Sequence, residues 1–110
     1  MTRVLAYVPD LMDRSKVAAA AGDRVAFVPT AAGLVARFDA GGRFDLVVVD
    51  LGRPGVLDAL GALDALEPRP RTIGFGSHVD RELLTAARAA GCDEVMARSA
   101  FFSQLSELVA

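Results

Sequence analysis

Phe44-Asp45-Leu46-Val47-Val48-Val49-Asp50-Leu51-Gly52-Arg53-Pro54-Gly55 is the stretch that decides the fold. Its Leu-Val-Val-Val run is too short for a helix and too continuously apolar for a strand wet on one face. A run of this kind reads as the buried centre of a parallel sheet. Asp50 ends the run, and Gly52, Pro54 and Gly55 are turn residues. Four other short apolar segments share the character: Arg3 to Val8, Arg24 to Val28, Arg71 to Phe75 and Glu94 to Ala97. Longer Ala- and Leu-rich segments separate them: Asp10 to Ala21, Ala31 to Ala40, Gly55 to Leu66, Val79 to Ala90 and Phe101 to Val109. Asp10, Thr30, Ser77 and Ser99 stand where a side-chain oxygen caps a helix start, and Gly22, Gly41 and Gly91 where a helix ends. Strands alternating with helices predict a parallel sheet covered on both faces, a doubly wound α/β sandwich.

The 110 residues suit one domain, 1–110. With 53% hydrophobic and 24% charged residues, the composition excludes disorder. No apolar run is long enough to cross a membrane and no signal-peptide pattern opens the chain, so a soluble, cytoplasmic protein is expected. A net charge of −2 gives no electrostatic reason for nucleic acid. The single cysteine, Cys92, excludes an internal disulfide and cysteine-clustered metal sites, and it reads as half-buried packing.

Open parallel sheets bind ligands beyond the carboxyl ends of their strands. That rule selects Pro9-Asp10, Pro29-Thr30, Asp50 to Gly55, Gly76-Ser77-His78 and Arg98-Ser99. Asp50 is the only uncompensated polar residue after a strongly apolar strand. Its plain reading is a side chain capping the turn before Pro54. His78 reads as a loop histidine, with metal ligation or general-base catalysis as the rival. Gly74 and Gly76 make no dinucleotide fingerprint, since the first strand exit has no glycine. Arg14, Arg24, Arg37 and Arg43 are scattered and read as solvated surface.

The segment from Asp45 to Gly55, with its Asp-Leu-x-x-Pro-Gly pattern, resembles the third strand and following loop of the response-regulator receiver domain. Ala86 to Ala97 is similar to that family's fourth-helix-to-fifth-strand stretch. The resemblance implies a flavodoxin-like (βα)5 fold with strand order 2-1-3-4-5. It implies Asp50 as phosphoacceptor, Mg2+ as cofactor and a histidine kinase or downstream signalling protein as partner. It also implies a homodimer through the last helix, at Phe101, Phe102, Leu105 and Leu108. Two adjacent phenylalanines cannot both face a core well, which assigns one of them to such a surface.

The departures carry as much weight. The acidic pair after the first strand is replaced by Val8-Pro9, with Asp10 one place later. The Thr or Ser ending the fourth strand is replaced by Gly76, with Ser77 next. The lysine after the fifth strand is Arg98, and no shift of alignment restores it, because Lys16 is the only lysine. Asp10 and Asp50 therefore predict a weak or absent Mg2+ site. Arg53 and Arg98 offer planar guanidinium forks for a carboxylate or phosphate. The specific expectation is that Arg98 pairs directly with Asp50. The function expected is an atypical receiver-like module acting through protein–protein contact, not an enzyme beyond any autophosphorylation of Asp50. The alternative is a small-molecule or nucleotide-binding domain with an anion site at Gly76-Ser77.

Overall fold

A computed structural model describes all 110 residues. Five strands, β1 (Val4–Tyr7), β2 (Val25–Phe27), β3 (Leu46–Asp50), β4 (Arg71–Gly76) and β5 (Glu94–Ala97), form one parallel sheet in the order β2-β1-β3-β4-β5. The connecting helices are α1 (Leu11–Ala21), α2 (Ala31–Asp39), α3 (Val56–Asp64) and α4 (Arg81–Ala89). A short pair, α5 (Arg98–Ser103) and α6 (Leu105–Leu108), closes the chain. No helix is long and apolar enough to cross a membrane.

Side chains alternate across the sheet with period two, so each strand feeds two cores. Leu5, Tyr7, Val47 and Val49 face a layer built by α2, α3 and α4, with Leu34, Leu60 and Leu63 as its largest members. Val4, Ala6, Leu46, Val48, Ile73 and Phe75 face α1, α5 and α6, meeting Val17, Phe101 and Leu105. All four residues of β1 and all five of β3 are buried, as continuous apolar strands at the sheet centre require.

The boundaries differ from expectation in an informative way. Asp50 and Gly76 belong to their strands and are not loop residues. Asp80, not Ser77, caps α4, accepting the Leu83 N–H at 3.3 Å. The last helix begins at Arg98, directly after β5, and breaks at Gln104. Ser99 is its second residue, and no side chain caps its start. Gly74 is required by packing: a Cβ there would lie 2.5 Å from Leu51 Cδ2. Leu51 thus seats the chain leaving β3 directly on β4.

Of the four residues assigned to a homodimer, Phe101 and Leu105 are not on the surface. Phe101 and Leu105 are buried in the α1-side core, while Phe102 and Leu108 are half-buried against it. Phe101 stacks on Phe75 with ring centroids 4.6 Å apart, and Phe102 meets the same ring edge-on at 5.2 Å. Both phenylalanines pack inward because one lies on the face of Phe75 and the other against its edge. Arg24 is not simply solvated either. Its Nη1 donates to the carbonyls of Thr2 and Val109, tying the two ends of the chain together.

At the amino edge of the sheet, Arg69 joins three segments by donating to Asp64 Oδ1 (2.7 Å), Asp93 Oδ2 (3.0 Å) and the Gly91 carbonyl (2.6 Å). Asp93 Oδ2 also accepts from the N–H and hydroxyl of buried Thr72. Burial pushes the Asp93 carboxyl up, but the Arg69 and Thr72 bonds outweigh it and hold the group below its ordinary range. A carboxyl with a depressed folded-state pKa stabilises the fold above its unfolded value, near pH 4, and loses that contribution as pH falls through the folded value. Unfolding free energy measured from pH 6 to pH 2 is therefore expected to fall more steeply in the wild type than in Asp93→Asn. Parallel curves would refute it.

Candidate functional site

The carboxyl edge of the sheet gathers Asp10, Asp13, Asp50, Arg53 and Arg98. Asp50 is the last residue of β3, in phase with Leu46 and Val48, so its side chain leaves the sheet on the α1 and α5 side. It is 9% exposed. Its Oδ1 accepts the Gly52 N–H at 3.1 Å, and its Oδ2 accepts Arg53 Nε at 3.1 Å. The turn-capping reading of Asp50 holds for Oδ1, and the guanidinium takes the other oxygen.

The predicted Arg98–Asp50 pair does not form. Arg98 Nη2 donates to Asp13 Oδ1 instead, and Arg53 is the partner of Asp50. Asp13 is the residue that sequence reasoning missed. It lies in the first turn of α1 and is only 2% exposed. The Arg98 guanidinium also lies over the rings of Phe75 and Phe102, 5.8 and 5.1 Å from their centroids. The Asp13 bond is the largest influence raising the Arg98 pKa, and the charges of Asp50 and Asp10 add to it. Arg98 thus sits within the field of all three carboxylates while bonding one.

Asp10 caps α1, its Oδ1 accepting the Asp13 N–H at 3.0 Å. That bond is the main reason its carboxyl lies below the ordinary range, with Arg98 and Arg53 contributing in the same direction. Val8 fills the place of an acidic residue at the end of β1 with a buried methyl pair. No group of three or more His, Cys, Asp or Glu side chains is placed to hold a metal ion. Mg2+ wants several oxygens in near-octahedral array, whereas each of these aspartates already has a partner within the chain. The residues present do not fit a resident Mg2+.

Gly76 pairs with Ala97 inside the sheet, and Ser77 and His78 are exposed in the turn before α4. Ser77 Oγ accepts the Val79 N–H at 3.4 Å, so it serves the turn and not a helix start. No cavity of the molecule is lined by Gly76, Ser77 or His78. The anion pocket of the nucleotide-binding alternative thus lacks both its helix N-terminus and its concavity. Cys92 is buried, its thiol pushed up by burial and directed at the carbonyls of Thr72 and Glu94.

One further property marks this edge. Leu11 and Met12 open α1, Leu57 lies in the first turn of α3, and Val79 precedes α4. These are large apolar side chains exposed by 77%, 73%, 39% and 74%. All four lie on the segments that follow strands β1, β3 and β4, at the carboxyl edge of the sheet.

No protein-family model and no curated protein matches the sequence. Solved structures do. A response regulator from Hahella chejuensis superposes with a TM-score of 0.83 at 16% identity, covering 99% of this chain and 92% of its own. The Mn2+-bound form of the response regulator Rcp1 gives 0.81 at 9% identity, over 98% and 91% of the two chains. An orphan response regulator of H. pylori gives 0.77 at 13% identity, over 99% and 97%. At such identities the likeness is one of fold, and the fold is that of the response-regulator receiver domain.

Proposed function

We propose that this chain is an atypical receiver-like signalling module of the cytoplasm that works by docking a protein partner, independently of Mg2+ and of phosphorylation at Asp50. The observation that carries the reading is the double arginine bridge, Arg53 to Asp50 and Arg98 to Asp13. Phosphoryl transfer to a carboxylate depends on positioning and charge neutralisation, supplied by metal ions and by cations aimed at the phosphoryl oxygens. Here the guanidinium groups neutralise the carboxylates themselves. An incoming phosphodonor would have to displace Arg53 from Asp50. The exposed rim of Leu11, Met12, Leu57 and Val79 favours a protein over a small ligand, because apolar side chains grouped at one edge mark interaction surfaces.

Intact-mass spectrometry after incubation with acetyl phosphate and Mg2+ tests this. No phosphoryl adduct is expected, and Mg2+ with beryllofluoride is expected to leave the melting temperature unchanged. A mass gain that vanishes in Asp50→Asn would establish a working phosphoacceptor and overturn the phosphorylation-independent reading.

A further inference from the structure

We draw no further inference here: the strongest candidate, the cavity of about 420 Å3 at the amino edge of the sheet lined by Phe38 and Phe44 with Arg3 and Arg43 on its rim, carries nothing, because its charged side chains are all exposed, the Arg3 guanidinium covers the Phe44 ring, and nothing in the structure shows what would fill it.

Discussion

Phe101→Ala is expected to destabilise the protein by about 3–5 kcal/mol, the usual cost of deleting a fully buried aromatic ring. Phe101 has no exposed surface, stacks on Phe75 and meets Phe102 at 5.0 Å. It is the main apolar anchor of α5, a six-residue helix without a side-chain cap. Isolated helices of that length have little stability of their own and depend on tertiary packing. The collapse available to fill the hole is small, because Phe75 belongs to β4 and cannot follow without distorting the sheet. Domains of this size carry about 5–15 kcal/mol in total. Urea denaturation should therefore show a midpoint displaced by about a fifth of its value or more. Phe102→Ala, at a half-buried position, should cost roughly half as much or less. Equal effects of the two would contradict the assignment of Phe101 as the core member.

Arg98→Ala is the second large effect, expected at about 2–4 kcal/mol. Removing one member of a buried pair leaves the other charge uncompensated, which typically costs about 3–5 kcal/mol. The lower range reflects an arginine side chain that is itself half exposed, so water takes up part of the loss. The carboxylate left behind, on Asp13, has no other partner for its side chain and almost no access to solvent. The diagnostic is the double variant Asp13→Leu/Arg98→Ala. It removes the stranded charge along with its partner and should recover most of the stability in guanidinium denaturation. A double variant as unstable as Arg98→Ala would show that the arginine acts through its aromatic contacts with Phe75 and Phe102 and not through the ion pair.

The parts of this molecule that were legible in the sequence are those set by short-range pattern. Val47-Val48-Val49 and Val4-Leu5-Ala6 read as central strands because burial on both faces leaves no polar position to alternate. Gly22, Gly41 and Gly91 mark helix ends and do adopt positive φ. The strand order followed from the resemblance at Asp45 to Gly55. What escaped was set at long range or hidden by local ambiguity. Asp13 stands three residues after the capping Asp10, where a first-turn acid is unremarkable, and its partner Arg98 is 85 positions away in sequence. Ser77 and Ser99 read as caps because serine favours that role, but Asp80 competes better at one site and packing dispenses with a cap at the other. Arg53 was legible as a candidate but not as the partner of Asp50. Two arginines were available, and the turn through Gly52 brings the nearer one back onto the carboxylate.

The zero-residue joint between β5 and α5 has a mechanical consequence. Ala97 closes the strand and Arg98 opens the helix, so no slack separates them. A displacement of the Arg98 guanidinium, by a docked partner for example, would be handed straight to the helix backbone. The first interruption of the helix along that path is at Gln104, before α6. Torque applied at the carboxyl edge would therefore be taken up at Gln104, short of the Val109 carbonyl that Arg24 holds fast.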